Sequence, residues 1–290
     1  MTTWITDLLV TLALTARLAV RNRLTRRRVT GDGGATVSLT TYGRRTRSVH
    51  LTIESIAAGQ VRPSRIVLWL DDAGTVTRPH AALRRLVRRG LELRSTADLG
   101  PHKKYYPAVC ETIDGPLVTV DDDVLYPNQW LRMLLDTHSE FPEAVLAHRV
   151  NRITVGGGSI RPYVEWGRAA DHSPTPRNFA TGVKGVLYPE RMQRLLREAG
   201  DGFLEHARSA DDIWLHHVAL RNGIQVLPVL GLPMNAVRAI RGVRGGSALA
   251  DENVSGGGND RVVAAVYTGE EIAAIVHDDW SMVAMSGERV

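Results

Sequence analysis

A chain of 290 residues, 43% hydrophobic and 23% charged, is long enough for one large α/β domain and too apolar for a disordered tail. Its formal net charge of +5 and pI of about 9.6 fit nucleic acid, an anionic membrane or a phosphate-bearing substrate as partner. The sequence has neither zinc-finger spacing nor an aromatic RNA-binding signature, which argues against nucleic acid. Its one cysteine, Cys110, excludes an intrachain disulfide.

Residues 1–30 stand apart. Trp4, Leu8, Leu9, Leu12, Leu14 and Leu18 belong to an apolar helical stretch interrupted by Asp7 and Arg17, too short and too polar for a secure membrane span. Arg21, Arg23, Arg26, Arg27 and Arg28 follow it, whereas a secretory signal carries its positive charge first. The pattern reads as a basic amphipathic helix lying on an anionic membrane surface, or as a helix packed on the domain or on a partner subunit. The expected location is cytoplasmic, peripheral on the inner face of the cell membrane. A homo-oligomer is left open.

Gly31 to Gly34 close this segment. Short apolar strands then alternate with helices. Strands are expected at 37–39, 66–70, 91–93, 117–120 and 224–229, and helices at 49–58, 79–89, 129–138, 192–198, 212–221 and 270–277. That alternation predicts a mostly parallel sheet with helices on both faces. Residues 151–179 read as loops or small strands forming a rim. Residues 241–261 read as a Gly-rich loop that orders on a substrate, or as a surface insertion. The expected organisation is a basic helix over 1–30 and a catalytic domain over 31–240. A Gly-rich flexible loop and C-terminal helix over 241–290 would complete the site.

Three consecutive carboxylates, Asp121, Asp122 and Asp123, follow the strand at 117–120. The C-terminal end of a strand is where open α/β sheets place ligands. Such a cluster is costly without a compensating cation, and a hard divalent ion shared with a diphosphate would supply it. In an extended segment Asp121 and Asp123 face one way, toward Mg2+ or Mn2+ and a nucleotide, while Asp122 braces the loop. A helix cap or salt-bridge site is the structural alternative. A second pair, Asp211 and Asp212, precedes a helix. Asp211 is expected to be a general base and Asp212 the helix cap, or the pair only caps.

Lys103 and Lys104 sit in a compact basic and aromatic segment with Tyr105 and Tyr106, suited to a phosphate and a ring. Lys184 lies between Gly182 and Gly185, in a setting that is neither a P-loop nor a dinucleotide fingerprint. Trp166, Trp214 and Trp280 fit a sugar site or the core. His277, near the C-terminus, is a possible third metal ligand if the tail folds back.

In order, Val37-Ser38-Leu39-Thr40-Thr41-Tyr42, Ile66 to Leu70, His102 to Tyr106, Val118 to Asp123, Phe179 to Gly182, Gly185 to Pro189 and Ala210 to Leu215 resemble a bacterial glycosyltransferase family of the GT-A type. It is distantly similar to glycosyltransferase family 2, and its members assemble surface polysaccharides and glycolipids. The resemblance covers about residues 35–235. It implies that Thr40 and Tyr42 border the nucleotide and that Lys103 and Lys104 neighbour the diphosphate. Asp121 to Asp123 would correspond to the metal and nucleotide motif, and Asp211 or Asp212 to the acceptor-side carboxylate. The implied reaction moves a sugar from a nucleoside-diphosphate donor, UDP-like, to a glycan or lipid-linked glycan, with inversion. The alternatives are a nucleotidyltransferase or pyrophosphorylase, and a non-catalytic glycan-binding protein at the membrane.

Overall fold

The computed structural model describes residues 2–111, 113–233, 235–240 and 257–283. A long helix, α1 (Thr2–Leu24), precedes a run of strands and helices. The run begins β1 (Thr36–Thr40), α2 (Val49–Ala57), β2 (Arg65–Leu70), α3 (Ala73–Thr77), α4 (Ala81–Val87), β3 (Leu91–Ser95), α5 (Tyr106–Cys110) and β4 (Leu117–Val120). It continues with β5 (Val124–Leu125), α6 (Trp130–Glu140), β6 (Val145–Ala147), β7 (Val150–Arg152), β8 (Val155–Gly156), β9 (Ser159–Ile160), β10 (Gly167–Arg168) and β11 (Asn178–Ala180). After β12 (Val186–Tyr188) come α7 (Glu190–Glu198), α8 (Phe203–His206), α9 (Asp211–Arg221), β13 (Val226–Pro228), β14 (Arg238–Ala239), α10 (Gly258–Val266) and α11 (Gly269–His277).

Seven strands form one sheet in the order β13-β6-β12-β4-β1-β2-β3. β1, β2, β3 and β4 are mutually parallel, and β13 is parallel to β6. β12 alone runs against its neighbours β4 and β6. The sheet is therefore mostly parallel, as the strand–helix alternation requires. β4 is the middle strand and β1 lies between it and β2, with Thr40 opposite Trp69 of β2 and Leu39 opposite Val120 of β4. The residues leaving the C-terminal ends of these three strands thus share one edge.

Side-chain alternation splits the core into two layers. Ile66, Leu68 and Leu70 of β2 pack with Ile53 of α2, Leu86 of α4 and Leu134 of α6. Val67 and Trp69 face Tyr105, Phe203 and Ile213 on the other side. Val263, Val266, Ala274 and Ile275 of α10 and α11 join this second layer, so the C-terminal helices share the core. Of the Gly-rich stretch, 241–256 lies outside the described residues, and 258–261 correct the expected loop by forming the first turn of α10. An apolar face to bury, together with Asp260 accepting the Tyr163 N–H at 2.7 Å, outweighs the local glycine content there.

α1 docks on α2 and α4 through a buried polar knot. Glu54 is fully buried and accepts from Arg21 at 3.1 Å, from Asn22 at 3.1 Å and from Arg89. Two guanidiniums and an amide thereby replace the water that this carboxylate gave up. Removing the anion strands cations in the interior, which costs about 3–5 kcal/mol. Glu54→Gln is therefore expected to lower the urea midpoint by that equivalent and to loosen α1, read as faster backbone amide exchange over residues 8–24.

Candidate active site

The acidic loop after β4 is pinned from two sides. Thr52 of α2 donates to the carbonyls of Asp122 and Val124 at 2.9 and 2.8 Å. The Asp121 N–H donates to the Tyr126 hydroxyl at 3.1 Å. Asp122 turns inward, where Thr41 Oγ1 and Arg45 Nη1 donate to it, the latter at 3.0 Å. Burial pushes its carboxyl up to about 6, held back by the Thr41 hydrogen bond and the Arg45 charge. Asp122 therefore braces the loop, and its expected contact with a nucleotide is corrected to a buried structural one. Asp121 and Asp123 stay partly open to solvent.

Arg45, in the 3-10 turn Gly43–Arg47, also reaches Asp123 at 3.3 Å. Sequence reading missed this residue, because Arg44, Arg45 and Arg47 look alike along the chain and only the turn aims one of them. Its guanidinium lies 5.5 Å from the centre of the Tyr42 ring, and Tyr42 is exposed at the sheet edge. Thr40 Oγ1 donates to the Trp69 carbonyl at 3.0 Å, which ties it to the neighbouring strand.

Lys104 is the centre of the site. Its Nζ lies 2.8 Å from Asp211 Oδ2 at the start of α9 and 3.4 Å from Asp121 Oδ1 at the end of β4. Burial alone would lower this ammonium, but Asp211, Asp121 and Asp212 outweigh it and hold the pKa well above the ordinary lysine value. Lys103 turns the other way, to Asp71 and, at 3.3 Å, to Asp98. The expected phosphate-facing pair is thus corrected to one lysine at each of two carboxylate groups, because adjacent residues in a turn diverge.

Neither member of the second pair caps its helix. The residue before α9 is Ala210, with no side-chain cap, and Asp211 and Asp212 occupy the first turn, where negative charge suits the helix dipole. Asp212 accepts the Gly182 N–H at 3.1–3.2 Å. Burial pushes the Asp212 carboxyl up to about 7, reinforced by the Asp211 charge. For Asp211 burial acts in the same direction, but Lys104 and His102 prevail and the carboxyl stays below its ordinary range. The two neighbouring carboxyls are thereby pushed apart, Asp212 upward and Asp211 downward. A Cβ at Gly182 would sit 2.7 Å from Lys104 Nζ and would displace that ammonium.

Lys184 lies two residues on, largely buried. Its pKa is lowered by that burial and by the charges of Arg168 and Arg149, so this rim is basic. Trp130 Nε1 donates to the Lys184 carbonyl at 2.7 Å. Trp166 and Trp214 belong to the core, and Trp280 packs at its margin.

The expected third metal ligand is not brought in. His277 is exposed at the end of α11, and the adjacent Asp278 accepts from Thr175 and pairs with Arg177 beside β11. Among the described residues no group of three His, Cys, Asp or Glu side chains converges as a metal site. Asp121 and Asp123 are what the chain offers. Two hard oxygen donors at an open edge fit Mg2+ or Mn2+, which complete their shells with water and substrate phosphate.

No family model matches the sequence, and no curated protein does. The structure is similar to that of the mannosyltransferase PcManGT from Pyrobaculum calidifontis in complex with GDP-Man and Mn2+. The TM-score is 0.53 at 15% identity, over 96% of this chain and 78% of the other. The chain has the GT-A fold. Residues 1–349 of S. aureus TarS in complex with UDP, and GalNAc-T7 with UDP, GalNAc and Mn2+, match at TM-scores of 0.47 and 0.48 and identities of 17% and 12%. Each match covers 67% of this chain, which spans 57% and 41% of the respective relatives.

At this site, Lys104→Met would leave Asp211 without its cation, at a cost of about 3–5 kcal/mol at pH 7. The depressed Asp211 pKa means that the wild type keeps this contribution above the ordinary carboxylate range and loses it only as pH falls below that. Orphaned carboxylates in the variant protonate at higher pH, so the stability gap is expected to narrow between pH 7 and pH 5 in urea unfolding. A constant gap would show that Lys104 acts through packing.

Proposed function

We propose that the chain is a metal-dependent glycosyltransferase that moves a sugar from a UDP-like nucleoside-diphosphate donor to a glycan or lipid-linked glycan, with inversion at the anomeric carbon. The observation that carries this reading is Lys104, whose contacts to Asp121 and Asp211 set the donor-side acids beside the α9 acids. The fold shared with a mannosyltransferase solved with GDP-Man and Mn2+ supports it.

Asp121 and Asp123 would hold the divalent ion, and Thr40 and Tyr42 border the nucleotide. When bound, Mg2+ or Mn2+ supplies charge that stabilises the departing diphosphate. Asp212, raised toward neutrality and open enough to be reached, takes the proton of the acceptor hydroxyl. The freed oxygen pair forms the new bond to C1 on the face opposite the leaving group. The C1–O bond to the diphosphate breaks, and its electrons leave with the nucleotide. Asp211 remains ionised against Lys104 and orients the pair. Lys184, with Arg149 and Arg168, presents positive charge along the acceptor rim.

A panel of UDP- and GDP-sugars with Mg2+ or Mn2+, read by nucleoside-diphosphate release, tests the reaction. One donor is expected to turn over with metal, and Asp123→Ala to abolish its metal-dependent binding. Asp212→Asn should retain donor binding and lose about 10²–10⁴-fold in transfer. A product with retained anomeric configuration would sink the direct-displacement step.

The acidity of Asp212 sets the pH profile. A base works only when deprotonated, so turnover should fall with unit slope below about pH 7 and level off above it. Removing the neighbouring charge with Asp211→Asn is expected to shift that acid limb to lower pH. An unmoved limb would assign the titration to another group.

A further inference from the structure

α1 has apolar residues on two sides. The side that packs on the protein buries Leu18 against Leu51, Leu125 and Ile240, with Leu14 and Ala19 beside it, together with Thr11, Asn22 and Arg21 bound to Glu54. The side facing solvent is apolar: Leu9 is 61% exposed, Leu12 50%, Val20 51% and Leu24 76%. With Ala13 and Ala16, also exposed, these residues recur every three or four positions and form one stripe along the helix. A helix already seated through one apolar face that still exposes a second stripe of leucines has that stripe committed elsewhere.

The surrounding charge indicates to what. Arg17 borders the stripe, Arg23 interrupts it near its C-terminal end, and Arg26, Arg27 and Arg28 follow. Asp7, the acid of this helix, is engaged by Arg238. Just past the helix lies an open depression of about 500 Å3 lined by Arg27, Arg28, Arg62, Thr30, Ser64 and one acid, Asp32. Arg62 Nη1 donates to the carbonyls of Arg28 and Thr30 at 2.9 and 2.7 Å, which fixes the wall. Among the described residues no helix is long and apolar enough to cross a membrane, so the stripe calls for a surface rather than a span.

We propose that α1 lies in the headgroup plane of an anionic bilayer, with Leu9, Leu12, Val20 and Leu24 among the upper acyl carbons. The arginine-lined depression takes acidic phospholipid headgroups. Apolar insertion and arginine–phosphate pairing reinforce each other in this arrangement, as interfacial helices require. The proposal is independent of the transfer reaction, and its readout is binding alone.

Co-sedimentation of the full chain with phosphatidylcholine vesicles, with and without 30% phosphatidylglycerol, tests it. Binding is expected only to the anionic vesicles and should weaken with salt. Leu12→Ser with Val20→Ser should weaken it at least tenfold at an unchanged urea midpoint. Arg27→Gln with Arg28→Gln should remove the preference for the anionic lipid. Equal binding to both vesicles, or to neither, overturns the proposal. So does a concentration-dependent dimer in sedimentation velocity that Leu12→Ser with Val20→Ser dissolves, since the stripe would then be an interface between copies.

Discussion

The site depends on one buried ammonium. Lys104 Nζ has left water, and only carboxylates make that tolerable. Asp211 and Asp121 supply contacts at 2.8 and 3.4 Å, and Asp212 adds its charge. This arrangement has a geometric consequence. Asp121 directly follows the central strand β4 and Asp211 begins a helix ninety residues later in the chain, yet neither can drift without exposing an uncompensated charge in the interior. The cation therefore holds the two halves of the edge together. It also separates the roles of Asp211 and Asp212: the carboxyl that touches Lys104 stays ionised, and its neighbour is driven toward neutrality.

The surrounding structure serves that arrangement by fixing the backbone. Thr52, Tyr126 and Asp122 hold the acidic loop from below and from the side, so Asp121 and Asp123 are presented by a rigid segment. Gly182 comes close enough for its N–H to meet Asp212 because it has no side chain to displace Lys104. On the opposite flank the Glu54 knot does comparable work for α1. In both places a charge is buried with its partners in place, which confers position more than net stability.

Much of the fold was legible in the sequence because local patterns and burial agree. The run 117–120 is four apolar or β-branched residues and forms β4 with the expected ends. The helix anticipated at 49–58 forms over Val49–Ala57, since its periodicity matches the face it buries. β6 and β12 were harder to see. Each has only three residues, too few to show a period, and the reversed direction of β12 comes from where the preceding chain returns to the sheet. The expected loop takes in the first turn of α10, 258–261, because glycine dominates the local composition, whereas Val263 and Val266 are buried against distant residues.

The candidate site divides along the same line. By itself the sequence determined which residue types gather at the sheet edge: acids directly after β4, a second acidic pair opening α9, and lysines ahead of α5. Strand polarity and helix starts are local properties, so these positions follow from neighbours along the chain. Only the tertiary structure decided which of two adjacent side chains does what. It turned Lys104 to the acids and Lys103 to Asp71, chose Asp212 over Asp211 as the group near neutrality, aimed Arg45 at Asp122 and Asp123, and left His277 at the far end of α11. Each of those outcomes is set by burial and by charges remote in sequence, and electrostatic energy depends on distance in space.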